Sequence, residues 1–306
     1  MIFVFPGQGS QKIGMGKDIY DNFSSAKDVF HEVDDAISFN LSKLIFNGTE
    51  DELKRTENTQ PALMTVSMAF VEVMKKEFGI DISEKAKYFA GHSLGEYTAL
   101  CAAGALSLRD TAKILRVRGK AMADACPTGG AMAAILGLDI NQIEEIVKEA
   151  CSDTAKVQIA NDNSIGQVVV SGHEEAVKKA TGIALNRGAK RAVILPVSGP
   201  FHSKLMQPAV NILEEMLSDI EFKSPSKPII TNVTAKAETG NFQELLLKQI
   251  TNRVRWVESI QYAESQGASK CVEVGAGRVL TGLIKRISPD MQLININSLE
   301  SLSLLE

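Results

Sequence analysis

Apolar residues in this chain fall into short continuous blocks separated by stretches with helical spacing. Residues 1–5 (MIFVF) are apolar throughout and stop at Pro6-Gly7, which reads as a strand buried on both faces. Residues 86–90 (AKYFA), 131–136, 156–160, 167–171, 190–196, 228–232 and 271–274 read as further strands. Helical periodicity covers 24–37, 41–46, 59–78, 95–104, 108–125, 140–151, 173–187, 204–218, 242–250, 256–266 and 278–287. Pro61 then falls in a first helical turn, where its missing N–H is harmless. Strands alternating with helices predict an α/β fold, a mostly parallel sheet with helices on both faces.

The pattern changes near residue 128. Cys126-Pro127-Thr128-Gly129-Gly130 breaks a helix and reads as a hinge. The elements after it run β-α-β-β-α-β to Pro196, the ferredoxin-like order. The expectation is a main body of 1–127 and 197–306, with 128–196 inserted as a small domain.

Composition removes several classes of function. Lys+Arg 33 against Asp+Glu 37 gives a net charge of −4, unlike the basic surface of a nucleic-acid binder. At 44% hydrophobic and 23% charged, the 306 residues have globular rather than disordered composition. No apolar run approaches the ~20 residues of a membrane helix. The first residues lack the basic and apolar regions of a signal peptide. Cys101, Cys126, Cys151 and Cys271 form no C-x-x-C or zinc spacing, so buried thiols in a reducing compartment are expected, with no metal.

The sharpest chemical signal is Gly91-His92-Ser93-Leu94-Gly95, a G-x-S-x-G between a predicted strand and a predicted helix. Such a turn exposes the serine hydroxyl, and the Leu94 amide at the helix start can stabilise an oxyanion. A serine needs a base. His31 reads as a residue of a polar helix and His173 as a helix start, while His92 adjoins the serine without facing it. His202, in the loop Val197-Ser198-Gly199-Pro200-Phe201-His202-Ser203, is the histidine placed where catalytic groups concentrate.

One arginine stands out. On helix 108–125, Arg109, Lys113, Arg116 and Lys120 form a solvated stripe. Arg118 instead has Ile114, Leu115, Ala121 and Met122 as its helical neighbours. A buried guanidinium requires an anion, either an internal Asp or Glu or the carboxylate of a bound acid. The loop Gly7-Gln8-Gly9-Ser10-Gln11 ends the first strand but lacks both phosphate-loop spacings, so an oxyanion amide donor is its better reading.

Phe5-Pro6-Gly7-Gln8-Gly9-Ser10-Gln11, Gln60-Pro61-Ala62, Gly91-His92-Ser93-Leu94-Gly95-Glu96, Arg118-Gly119 and Pro200-Phe201-His202 occur in this order. Together they resemble the malonyl-CoA:acyl carrier protein transacylases and the acyltransferase domains of polyketide and animal fatty acid synthases, over residues 1 to about 287. The resemblance implies an α/β-hydrolase-like body with an inserted ferredoxin-like subdomain. It implies malonyl transfer from malonyl-CoA to acyl carrier protein in fatty acid biosynthesis, without metal, redox cofactor, nucleic acid or membrane. By resemblance, Ser93 is the nucleophile and His202 its base, Gln11 and Leu94 give oxyanion amides, and Arg118 binds the malonyl carboxylate. The Gln249 main-chain carbonyl orients the histidine. Gln60, His92, Asn161, Asn163 and Phe201 line the site, Phe201 favouring malonyl over methylmalonyl. Lys190, Arg191, Lys285 and Arg286 face coenzyme A phosphates or the carrier protein. The alternatives are an acyltransferase for another acyl-CoA, a serine esterase or thioesterase, and a non-catalytic carrier-binding module.

Overall fold

A computed structural model of the chain describes residues 1–305. Ten strands are laid down in chain order. β1 (Ile2–Phe5) and β2 (Tyr88–Gly91) come first. β3 (Gly130–Leu136), β4 (Val157–Ser164), β5 (Gln167–His173) and β6 (Arg191–Ile194) follow as a group. β7 (Ile229–Ile230), β8 (Ala237–Glu238), β9 (Lys270–Val274) and β10 (Gln292–Ile296) complete them. They make two sheets, β10-β9-β1-β2-β7-β8 and β4-β5-β3-β6.

The first sheet is parallel except for β8, so the fold is α/β with a mixed sheet. β1 is central, which is why all four of its residues are apolar and buried. Side chains alternate across this sheet. Phe3, Phe5 and Phe89 enter one core, and Ile2, Val4 and Tyr88 enter the core on the other face. The carboxyl ends of β1 and β2 run into the Pro6–Gln11 loop and the Ser93 turn, where open α/β sheets place ligands.

The second sheet is antiparallel and comes from the segment with β-α-β-β-α-β order. On β3, Ala133 and Ile135 meet the helices Ile140–Ala150 and Glu174–Asn186, while Met132 points to the body. On β5, Val168 and Val170 likewise face the helices, and Val169 faces the body. The strand period of two thus sends Met132 and Val169 to the seam between the sheets.

Of the differences from the sequence reading, two concern the sheet edge and the helix beside the site. β10, a parallel edge strand at the far side of the first sheet, lies beyond the last predicted element. The helix expected over 59–78 begins at Thr56, so Pro61 lies in its interior. Proline removes the N–H that would have bonded the Glu57 carbonyl. The Arg116 guanidinium fills the gap, donating to Glu57 O at 3.0 Å and to Asn58 Oδ1, and its plane lies over Phe39. Arg116 therefore leaves the solvated stripe assigned to it. Gly119 sits on the same helix, Leu108–Asp124, and a Cβ there would lie 2.4 Å from Thr56 O. The two helices touch backbone to backbone at this point.

Candidate active site

Gly91 and Gly95 allow the turn that carries Ser93. A Cβ on Gly91 would fall 1.9 Å from the Gly95 backbone, and one on Gly95 would fall 2.2 Å from Phe5 O. Between them Ser93 adopts φ 54, ψ −109, a left-handed conformation that a non-glycine residue holds at a cost of about 1–3 kcal/mol. Asn232, just past β7, secures the turn. Its Oδ1 accepts from Ser93 N at 2.8 Å, and its Nδ2 donates to Gly91 O at 2.7 Å. The helix Leu94–Ala102 starts immediately after, so its N-terminal amides and dipole converge on the serine.

Ser93 Oγ lies 2.8 Å from His202 Nε2, 109 residues away in sequence. His202 is buried and also has a positive φ of 56. Its Nδ1 bonds the Gln249 main-chain carbonyl at 2.9 Å, which places the ring proton on Nδ1 and leaves Nε2 free to accept from the serine. Gln158, on β4, holds the loop by donating to His202 O and Thr251 O. Burial, then the nearby Arg118 charge, lowers the His202 pKa to about 3, so the ring is neutral.

Arg118 is only 1% exposed and makes no ion pair among the described residues. Its Nη1 donates to Gln60 Oε1 at 2.7 Å, and its Nη2 to Gln249 Oε1 at 2.9 Å and to Ser93 Oγ at 3.0 Å. Tyr97 lies beneath, with the guanidinium carbon 5.1 Å from the ring centroid. Of the two anions the sequence left open, no internal carboxylate pairs with it directly. The nearest acid in its network is Glu96, reached through the Gln249 amide. Burial pulls the Arg118 pKa down, yet its three acceptors are neutral and the charge is not cancelled.

Ser93, His202 and Arg118 open onto one cavity of about 180 Å³ at the seam between the sheets. Gln60, His92, Leu94, Asn161, Asn163 and Phe201 all line it, as do Met132 and Val169 from the second sheet. His92 Nε2 bonds Asn163 Oδ1 at 2.8 Å and its ring stands edge-on to Trp256, a link between the serine turn and β4. Gln11 does not line the cavity. Gly9, at φ 106, turns the chain back, and Gln11 Oε1 accepts the Gly9 amide at 2.7 Å; Gln8 lines the cavity instead. Lys190, Arg191, Lys285 and Arg286 are exposed and none lines the cavity. Lys285 bonds Pro289 O, and Arg286 is held by Ser164 and Gln167.

Asn232 and Gln158 escaped the sequence reading, and Glu96 stands within the serine motif but was given no role. Asn232, Gln158 and Glu96 all act through polar bonds to segments distant in the chain. The position of Thr231-Asn232 at the end of a buried strand is the one local signal that pointed to Asn232.

Residues 2–292 match the acyl transferase domain family. The malonyl CoA-acyl carrier protein transacylase of Bacillus subtilis (strain 168) is 44% identical over 305 residues, 99% of this chain and 95% of that one. The crystal structure of acyl-carrier-protein-S-malonyltransferase from Bartonella henselae superposes with TM-score 0.96 at 48% identity, covering 99% of this chain and 97% of that one. A type II PKS acyl-carrier protein in complex with its malonyl-transacylase matches with TM-score 0.94 at 40% identity, over 99% and 97% of the two chains. The chain belongs to the malonyl CoA-acyl carrier protein transacylase family of acyl transferases.

Proposed function

We propose that this acyltransferase moves a malonyl group from malonyl-CoA to the phosphopantetheine thiol of acyl carrier protein, through a malonyl ester on Ser93. The observation that carries this reading is the Arg118 guanidinium, buried, unpaired with any carboxylate, and 3.0 Å from the serine oxygen. An enzyme for apolar acyl groups has no use for a cation there. A guanidinium binds a carboxylate through two parallel hydrogen bonds, and the free carboxylate of malonyl supplies one.

His202 Nε2 takes the proton as Ser93 Oγ attacks the thioester carbon. The oxyanion is met by the Leu94 amide at the helix N-terminus and by an amide of the Pro6–Gln11 loop. Gln8 is the better-placed residue for that second role, since it borders the cavity and Gln11 does not. The carbon–sulfur bond breaks and His202 returns the proton to the coenzyme A thiolate. The carrier thiol then loses its proton to His202 and attacks the ester carbon. As the carbon–oxygen bond breaks, Ser93 recovers that proton. Each step is an addition, an elimination or a proton transfer, so the chemistry calls for no metal or redox cofactor. The Gln249 carbonyl takes the orienting role that an aspartate has in many serine triads.

Phe201, against the cavity, crowds the α-carbon of the acyl group and favours malonyl over methylmalonyl. Asn161 and Asn163 offer amides to the pantetheine arm, and Lys190, Arg191, Lys285 and Arg286 offer charge to phosphates or carrier protein. We read the second sheet as a ferredoxin-like subdomain of 128–196 inserted into an α/β-hydrolase-like body of 1–127 and 197–306. A cytoplasmic location goes with this reading, and four free thiols suit a reducing compartment. Transfer of radiolabelled malonyl to acyl carrier protein, with acetyl-CoA as competitor, tests the assignment. Labelled carrier supports it, and release of free malonate with no labelled carrier would overturn it in favour of a hydrolase.

A further inference from the structure

We propose that Glu96 is a positioning residue whose carboxyl oxygen sets which way the Gln249 amide faces, and so holds Arg118 ready for the substrate carboxylate. The assignment rests on the malonyl-transfer reading above. Glu96 lies in the first turn of the helix Leu94–Ala102 and is fully buried beneath the cavity. A buried carboxyl is costly, and this one leaves Oε1 without a partner. All of its hydrogen bonding is concentrated in Oε2, which accepts from Gln249 Nε2 at 2.8 Å and Asn232 N at 2.9 Å.

A glutamine amide has a donor end and an acceptor end. Arg118 carries only donors, so it needs the acceptor end of Gln249, and Oε1 is there at 2.9 Å. The donor end must then find acceptors in the protein. It finds Glu96 Oε2 first, with Ser93 O at 3.1 Å and Asn232 Oδ1 at 3.3 Å as longer contacts. Turning the amide over would set Nε2 against the guanidinium and Oε1 against Glu96 Oε2, two unfavourable pairs at once. Asn232, held by the same Oε2, bonds the Ser93 amide. The Asn232 side chain, which holds the serine turn, bonds Ser93 N and Gly91 O and makes no bond to Glu96. Burial raises the Glu96 pKa to about 7. A proton placed on the unpartnered Oε1 leaves the acceptor role of Oε2 intact, so the role needs an oxygen there rather than a charge.

His202 is held by the Gln249 main-chain carbonyl, not by this amide. Loss of the Glu96 oxygen should therefore disturb carboxylate binding more than the serine–histidine pair. The test compares Glu96→Met, similar in size but with only a weak sulfur acceptor in place of the oxygen, with Glu96→Gln, which keeps an oxygen at the same place. Two readouts separate the roles: the KM for malonyl-CoA, and the rate at which a neutral fluorophosphonate labels Ser93, which needs no Arg118. In Glu96→Met the KM should rise about tenfold or more, the effect of a lost hydrogen bond to a charged group. Labelling should stay within about threefold of wild type, and Glu96→Gln should restore a near-wild-type KM. Should Glu96→Met fail to fold, Glu96→Leu removes the oxygen with a side chain of similar bulk, and the same split between KM and labelling is expected. An unchanged KM, a parallel loss of KM and labelling, or a Gln variant as impaired as the Met variant would overturn the assignment alone. A wild-type protein that transfers no malonyl would overturn the underlying reading as well.

Discussion

Arg118 Nη2 lies 3.0 Å from Ser93 Oγ, so the serine oxygen accepts from the guanidinium while its proton faces His202. A substrate carboxylate at Arg118 would compete for the hydrogen bond that now goes to the nucleophile. On the proposed reading, recognition of the acid and release of the hydroxyl would be joined at one donor.

Removing that donor gives the first prediction. Arg118→Ala should lower kcat/KM for malonyl-CoA by about 10- to 100-fold, the range for a lost charged hydrogen bond or two. Acetyl-CoA, which has no free carboxylate, should be spared or used better. The ratio of malonyl to acetyl transfer checks this; a proportional loss with both donors would assign Arg118 a structural role.

The pH dependence follows from the buried imidazole. An ordinary histidine, with a pKa near 6.5, would be protonated and useless as a base at pH 5.5. Burial and then Arg118 lower His202 to about 3, so it stays neutral and able to accept a proton down to well below pH 5. Single-turnover acylation of Ser93 should show no acid limb between about pH 5 and 8. A limb with an apparent pKa near 6.5 would contradict the lowered value.

Helix contact at Gly119 is predicted to be intolerant of even one methyl. Gly119→Ala would put a Cβ 2.4 Å from Thr56 O, and overpacking of this kind costs about 1–3 kcal/mol. Thermal unfolding should show the lowered midpoint. Because the same helix pair brings Gln60 to Arg118, malonyl KM should rise along with it.

Asn232 supports the serine turn with both ends of its amide. Asn232→Ala leaves the Ser93 N–H and the Gly91 carbonyl without that partner, at about 1–3 kcal/mol per buried group. Fluorophosphonate labelling of Ser93 should slow in this variant, in contrast to the expectation for Glu96→Met. A variant with wild-type labelling would show that Gly91 and Gly95 hold the turn unaided.

The two sheets and the central residues were readable along the chain because each rests on a local pattern. β1, β3 and β5 each carry a short continuous apolar run, and Ser93 lies in a motif whose strand and helix are predictable on either side. Arg118 was legible as a charge on an apolar helix face. β10 was missed because Gln292-Leu293-Ile294-Asn295-Ile296, at a sheet edge, is too mixed and short to stand out. Pro61 misplaced a helix start, since the partner that satisfies the Glu57 carbonyl lies 59 residues away. Gln11 came from the resemblance alone; that Gln8 borders the cavity instead depends on the reversal at Gly9, a backbone property that residue identity does not reveal. Glu96 was given no role, and Asn232 was passed over, for a related reason. Their significance lies in bonds spanning 136 to 153 positions, which no window of sequence contains.

The most direct measurement is mass spectrometry of the protein after brief exposure to malonyl-CoA without carrier protein. A malonyl group on the peptide containing Ser93, absent in Ser93→Ala and discharged by adding acyl carrier protein, is the predicted result. A malonyl group on any other residue, or transfer to carrier that persists in Ser93→Ala, would contradict the account.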